Sequence, residues 1–452
     1  MGKEADSYDP YERKREIKQL EKSYMVLRDR RLNNPNPTPK MWVYLEMLYY
    51  YKLRDAQNCR YVVGNRRLHY RQRDWRLFLH SALDESEESN VNSREFRERY
   101  RMDRTSFYQL HDRIKNHAVF QSNKSGQQQV DSKYQLLWFL AHIGTQGCGM
   151  SSRKSVHQFP SSYGSFVLFQ KRCITAILTL HDEAYFWPDA EERKVIAQKF
   201  HEKYHVPHVV GVADGTLFPL EFKPNRNDYP DFKGRKGRYT ITCLIVNDHM
   251  RRIRYYHLGW PGNVHDERVF CQCPLATTPE RYFSHGDVLL GNSAYTPRKN
   301  MVSVYKKGYG EPRLSASKEQ FNTIIPQPRV SSEHTIGIGI LKARFCSLRE
   351  IRLKITEDPE SFKKVLNYVR VCIIIHNLLM GWTDSDFEFE ENPDNTTMQT
   401  TGTEDRANND DNVNHITGEI RRQQMYDRLM LDGVHDLIQG DMRDGLSRDR
   451  FD

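Results

Sequence analysis

Three carboxylates stand where an apolar run gives way to a turn or where a helix opens. Asp214 closes Val209-Val210-Gly211-Val212-Ala213 and is followed by Gly215-Thr216. Asp266 follows Trp260-Pro261-Gly262-Asn263-Val264-His265, and Glu333 opens a helical segment soon after Pro326 and Pro328. A buried strand that delivers an acid into a Gly turn presents its charge on a rigid support, and the glycine lets another group come close. Brought together, three carboxylates repel unless a divalent cation sits among them, and oxygen-only ligands select Mg²⁺ or Mn²⁺ over zinc. Two such ions would activate a water and stabilise the leaving oxygen of a phosphodiester. Each acid taken singly reads more readily as a turn or cap residue, so the chemistry depends on the words around them.

Those words are Val212-Ala213-Asp214-Gly215-Thr216, Trp260 to Phe270, Leu289-Leu290-Gly291-Asn292-Ser293-Ala294-Tyr295, Glu333-His334-Thr335-Ile336-Gly337, Leu341-Lys342-Ala343-Arg344-Phe345 and Ile375-His376-Asn377. In this order they resemble the nuclease domain of PIF/Harbinger-type DDE transposases and their domesticated derivatives, over roughly Phe96 to Trp382. The resemblance implies an α/β fold: an RNase H-like mixed sheet flanked by helices, preceded by a mostly α-helical N-terminal region. It implies a catalytic triad of Asp214, Asp266 and Glu333, with Asn292 as a fourth metal position and two Mg²⁺ or Mn²⁺ ions. The activity implied is phosphodiester hydrolysis in DNA, with joining of 3′-hydroxyl ends to a target. A Myb-like partner protein for DNA binding and nuclear entry is implied too, so the expected location is the nucleus, or the cytoplasm when that partner is missing. A homo-oligomer is compatible with all of this.

Two departures from the family pattern bear on activity. Asn292 stands where the family usually has an acid, which removes one negative charge and leaves an amide oxygen as a weak ligand. The run Ile336-Gly337-Ile338-Gly339-Ile340 reads as a duplicated Ile-Gly and sets Glu333 two residues further from Lys342 and Arg344. On a helix two residues are roughly 200° of rotation, so either Glu333 turns away or the extra pair is absorbed as a bulge. A transposon-derived DNA-binding protein with a degraded catalytic site is therefore the alternative to an active nuclease.

A rival motif is His201-Glu202-Lys203-Tyr204-His205, which matches the H-E-x-x-H helix of zinc proteases. Pro207 would stop that helix at once, and no distant third ligand is marked, so a zinc metalloprotease is the remote reading.

Charge is unevenly spread. The chain of 452 residues carries +9, but Asp384 to Asn414 holds ten acids against Arg406, a net −9, which leaves +18 on the remainder. Such a basic remainder attracts polyanions in a salt-dependent way. Lys233, Arg235, Lys236 and Arg238 lie beside Phe232 and Tyr239 and are the expected DNA-binding cluster; Arg66-Arg67, Arg71, Arg73 and Arg76 beside Tyr70 and Trp75 form a second. A merely solvated basic face is the plainer reading of both. The eight cysteines are scattered without a C-x-x-C pair, as expected of free thiols in a reducing compartment. The opening Lys3, Glu4 and Asp6 do not read as a signal peptide, and no membrane partner is expected.

Four regions are expected. Residues 1–95 form a helical, variable, basic N-terminal region, with an acidic linker over Asp84 to Asn92. Residues 96–200 are helical, with Phe107, Leu110 and Ile114 on one face, and Lys154 to Phe159 and Tyr163 to Leu180 forming either a helix-turn-helix or a plain helical hairpin. Residues 201–382 form the nuclease domain, with strands over Arg238 to Asn247, Arg252 to Gly259 and Asp287 to Leu290, and helices over Leu341 to Leu353 and Phe362 to Met380. Residues 383–452 form an acidic, largely disordered tail carrying a short amphipathic helix near Glu419 to Leu431.

Overall fold

The computed structural model describes residues 18–26, 62–63, 66–67, 75–83, 93–121, 129–147, 155, 158–159, 161–234, 236–307, 313–328, 338–382 and 409–431. The chain divides into two compact units. The first comprises Met1–Ala82 with Val156–Tyr163, and the second Leu83–Ser155 with Gly164–Asp452. Described in the first are a helix over residues 18–26, a two-residue antiparallel pairing of Val62–Val63 with Arg66–Arg67, and the helix Trp75–Leu83. The rings of Phe78 and Phe159 meet there at 4.8 Å.

The second unit is built on a five-stranded mixed sheet. Its strands are β1 (Val209–Pro219), β2 (Thr240–Asn247), β3 (Ile253–Pro261), β4 (Val288–Gly291) and β5 (Met301–Ser303), in spatial order β3-β2-β1-β4-β5. The β-branched run Thr240-Ile241-Thr242-Cys243-Leu244-Ile245-Val246-Asn247 is buried along its whole length, as a strand covered on both faces must be. β1 is the pivot: it runs antiparallel to β2, with Asp214 opposite Ile245, and parallel to β4, with Gly211 opposite Leu289. The β2–β3 hairpin falls where expected, turning at Asp248 to Arg252, and Arg251 holds a left-handed φ of 68°.

Each face of the sheet carries its own core. On one, Val209, Val212, Val288, Leu290 and Val302 meet Ile196 and Phe200 of helix Ala190–Tyr204 and Phe321 and Ile324 of helix Ala316–Ile324. Met425 and Leu429 of helix Asn409–Leu431 join the same cluster. That helix starts about ten residues earlier than the short one expected in the acidic tail, and its burial makes part of the tail a component of the core. On the other face, Val210, Ala213, Leu244, Val246 and Leu289 pack on Val269 and Phe270 of the short helix α1 (Asp266–Cys271).

Helices Arg104–Ile114 and Ser132–Ile143 form where the apolar spacing predicts them, each opened by an aspartate whose side chain accepts a backbone N–H, Asp103 and Asp131. Phe107, Leu110 and Ile114 are all buried. Helix Tyr163–Leu178 is present, but half of its expected helix-turn-helix partner, Lys154 to Phe159, lies outside the described residues. The helix expected over Leu341 to Leu353 is shorter. It occupies α2 (Ile338–Arg344), gives way to a 3₁₀ turn at Cys346–Arg349, and the chain then lies parallel to the end of β1, with Ile351 opposite Leu220. Pairing with the sheet overrides the helical propensity of this segment. The next helix, α3 (Pro359–Gly381), starts at Pro359 behind the cap Asp358. By length and composition it could cross a membrane, but here it is a core helix, largely buried from Val365 to Met380.

Candidate metal centre

Asp214 lies midway along β1, and Asp266 is the first residue of α1, at the far side of the β2–β3 hairpin. The fold brings Asp266 against Gly215, the residue that follows Asp214. A side chain at Gly215 would need the space that the Asp266 carboxylate occupies, so this glycine permits the close approach that its position after Asp214 predicts. Both carboxylates are half-buried. Glu333, the third expected acid, lies outside the described residues, as does the Ile336-Gly337 part of the duplicated pair. Among the described residues no group of three His, Cys, Asp or Glu side chains surrounds one ion.

Asn292 follows β4 and is held from two sides. The Ala294 N–H donates to its side-chain oxygen over 2.7 Å, while its amide nitrogen donates to Asp214 Oδ1 over 3.3 Å. These partners fix the orientation of the amide, because a backbone N–H must face its oxygen and a carboxylate must face its nitrogen. The structure therefore turns toward Asp214 a donor rather than a metal-ligating oxygen.

Lys342 reaches the same strand from α2. Its ammonium donates to Thr216 Oγ1 over 2.6 Å and to the Leu217 carbonyl over 2.9 Å, and lies over the Phe218 ring. Burial pushes the Lys342 amine down to about 8, while the charge of Asp214 works in the opposite direction. Sequence reasoning used Lys342 only as a spacing mark; its approach to Asp214 depends on the docking of α2 on β1.

Tyr295 ends the Asn292 turn, its N–H donating to the Asn292 carbonyl over 3.2 Å. It is buried, and its hydroxyl has no hydrogen-bond partner among the described residues. Burial pushes its hydroxyl pKa well above the usual tyrosine value, and the carboxylates of Asp266, Asp214 and Glu267 add to that rise. The neighbouring acid Glu267 is occupied otherwise: it accepts from the Thr296 N–H at 2.9 Å and pairs with Arg298 at 3.0 Å. Asp214 and Asp266 offer oxygen ligands of the kind that Mg²⁺ or Mn²⁺ takes, with Asp266 set against the residue that follows Asp214.

The basic cluster is a turn between β1 and β2. Gly234 N–H donates to the Arg238 carbonyl over 2.9 Å, and Lys233, Lys236 and Arg238 are exposed; Arg235 lies outside the described residues. Arg238 pairs with Glu350 over 2.9 Å. The turn abuts the segment leading to Asp266, since the Asn263 N–H donates to the Asp231 carbonyl over 3.0 Å. The H-E-x-x-H reading does not survive. The helix ends at Tyr204 and His205 caps it with a left-handed φ of 57°, so the two histidines share no helical face. Glu202 is engaged by Gln198 and Lys199 instead.

His376 and Asn377 brace the core, as their place on a helix suggests. Asn377 accepts from the Ile253 N–H over 2.9 Å and donates to the carbonyls of Ile253 and Ala184, tying α3 to the start of β3. His376 donates through Nε2 to the Arg251 carbonyl over 3.0 Å. Burial, with the charge of Arg344 adding to it, pushes this imidazole down to about 3.

A mixed sheet with one acid on its central strand and another on a following helix that packs against the next residue of that strand is compatible with the DDE nuclease fold. Residues 213–377 match the family described as DDE superfamily endonuclease, and the match spans Asp214, Asp266, Asn292, Lys342 and Asn377. Among curated proteins the chain is similar to HARBI1, a Harbinger transposase-derived protein that carries the name of a nuclease. Identity is 24% with the protein of Mus musculus, 22% with that of Bos taurus and 23% with that of Homo sapiens. Each alignment covers 43% of this chain and 52% of the relative, so the chain spans about half the length of the curated relatives it matches. No solved structure matches it.

Proposed function

We propose that the chain is a metal-dependent DNA endonuclease of Harbinger type, which hydrolyses phosphodiesters and joins 3′-hydroxyl ends to target DNA. The observation that carries this reading is the packing of Asp266 against Gly215, the residue next to Asp214, inside the segment that matches the endonuclease family. Asp214 and Asp266 would hold the cation, with Glu333 as the further acid. The bound cation, one ion or a pair, would supply a water of lowered pKa and stabilise charge on the leaving oxygen. Lys342 offsets the charge of Asp214 from the side of Thr216, and Asn292 fixes one carboxylate oxygen by donating to it. Lys233, Arg235, Lys236 and Arg238 would take the DNA phosphates beside the segment that carries Asp266. Action in the nucleus with a Myb-like DNA-binding partner belongs to the same proposal and is supported by the family resemblance.

One observation favours a second reading. The Asn292 donor on Asp214 gives that carboxylate a protein partner where an acid would leave it to a metal, which suits a DNA-binding derivative that no longer cuts. Plasmid nicking with Mg²⁺ or Mn²⁺ decides between the two. Cutting should be abolished in Asp214→Ala and in Asp266→Ala, with DNA affinity equal or higher. Cutting at the wild-type rate in both variants would dismiss the site, and no cutting by a folded, DNA-binding wild type would favour the second reading.

A further inference from the structure

Beyond β1 the chain runs on as one member of a short parallel ribbon, in which the Glu221 N–H donates to the Ile351 carbonyl over 3.0 Å and the Asn225 N–H to the Ile355 carbonyl over 2.8 Å. Phe222 lies between these contacts, with the guanidinium of Arg352 5.8 Å and the ammonium of Lys354 5.4 Å from its ring centre, both from the opposite member. The ring also lines a cavity of about 190 Å³ together with His142, Gln170, Glu350, Arg352 and Tyr368. That is less than the roughly 300 Å³ at which sites for drug-sized ligands begin, and it suits one planar ring system. Its aromatic lining is fixed in place. The Tyr368 hydroxyl donates to Ser347 Oγ over 2.9 Å, and the His142 imidazole stacks on Trp138 at 5.0 Å and meets the Tyr368 ring edge-on at 6.3 Å. Gln170 brings an amide that both donates and accepts, and Glu350 brings acceptors only. Flat apolar faces together with hydrogen-bonding groups of both kinds are what a nucleobase requires.

The surroundings supply what the rest of a nucleotide needs. Arg352 and Lys354 are exposed, and although Arg352 is shared by Glu221 at 3.2 Å and Glu350 at 3.4 Å, Lys354 pairs with no carboxylate among the described residues. Arg238 of the basic turn reaches Glu350 over 2.9 Å, so the cluster assigned to DNA phosphates adjoins the cavity wall. We propose that this cavity receives a single unpaired nucleobase of a DNA strand whose phosphates run over Arg352, Lys354 and the basic turn. The base stacks on the aromatic lining and turns an exocyclic amine toward Glu350. This rests on the DNA-binding reading of the chain and adds to it a preference among DNA substrates. Extruding a base from a duplex costs free energy, least where the base has no partner, so the site selects mismatched, bulged or single-stranded positions.

The test is fluorescence anisotropy of the full chain with three labelled DNAs of one sequence: a paired duplex, the same duplex with one bulged 2-aminopurine, and the same bulge with an abasic residue in place of the base. Wild type should bind the 2-aminopurine bulge about fivefold to tenfold more tightly than either of the others. Phe222→Leu and, as a change outside the ribbon, Gln170→Ala should each bring that ratio close to one, with thermal unfolding showing that the variants fold. Equal affinity for all three DNAs overturns the proposal. So does a preference for the bulge that the abasic DNA shares, since the protein would then be reading the bend rather than the base. A ratio that survives in Gln170→Ala and in folded Phe222→Leu overturns the placement in this cavity. Binding of none of the three DNAs by wild type fails the DNA-binding reading itself and takes this inference with it.

Discussion

The Asn292 amide is clamped between Asp214 Oδ1 at 3.3 Å and the Ala294 N–H at 2.7 Å. An aspartate at this position could keep the second contact but would replace the first with a like charge. Asn292→Asp should therefore destabilise the metal-free chain by on the order of 1 kcal/mol and gain more from Mg²⁺ than wild type does. Urea unfolding in EDTA and in Mg²⁺ reads both effects. Equal midpoints for variant and wild type in EDTA would mean that the Asn292 contact with Asp214 contributes nothing. If the chain is a decayed nuclease, the same variant should also raise Mg²⁺-dependent nicking.

Gly215→Ala places a methyl group where the Asp266 carboxylate lies. The backbone here is ordinary strand, so the substitution strains no dihedral, and its effect falls on Asp266. We expect cleavage to drop at least as far as in Asp266→Asn while the chain still folds, at a cost of roughly 1–3 kcal/mol for the forced displacement. Cleavage unchanged in Gly215→Ala would show that Asp266 works from a different position.

Changing Lys233, Arg235, Lys236 and Arg238 together to Ala should weaken binding to any DNA and flatten the slope of log affinity against log salt by a few units, since each neutralised phosphate contributes roughly 0.9. Arg238 should contribute least, because its guanidinium is already paired with Glu350 over 2.9 Å. Filter binding over a range of salt concentrations gives the slope, and an unaltered slope would reduce the turn to a solvated loop.

His376 supplies a pH dependence of stability. Its folded value is lowered to about 3 from an ordinary 6.5, so between those limits the unfolded chain binds the proton and the folded chain does not. Stability from this group is complete above pH 6.5 and is lost as pH falls toward 3. His376→Gln can still donate to the Arg251 carbonyl but does not titrate. Its unfolding free energy should therefore fall less steeply than wild type between pH 7 and pH 4 in urea titrations, and parallel curves would rule out His376 as the source.

The chain order alone indicated the central strand and the hairpin after it, but not that β1 runs on through Asp214 and Gly215 to Pro219 instead of turning there. Val209 to Ala213 and Thr240 to Asn247 are apolar, β-branched runs with few other ways to be buried, and the Gly after Asp214 marks a close approach by its residue type alone. What arrives at Gly215, and how the neighbouring groups are turned, was decided by tertiary structure. Asp266 is 51 positions further along the chain, and it reaches Gly215 only because β2 and β3 form a hairpin that returns the chain to the sheet and α1 packs on Val210 and Ala213. The direction of the Asn292 amide follows from two neighbours of opposite hydrogen-bonding character, one of them 78 residues away in sequence. The end of α2 at Arg344 was likewise illegible, because the segment after it has helical propensity and is drawn off by pairing of Ile351 with β1. Local preference is written residue by residue. The identity of a long-range partner depends on which surfaces the whole chain can bury at once, and that physical balance brought Lys342 and Asn292 to β1 at Asp214 and its neighbours.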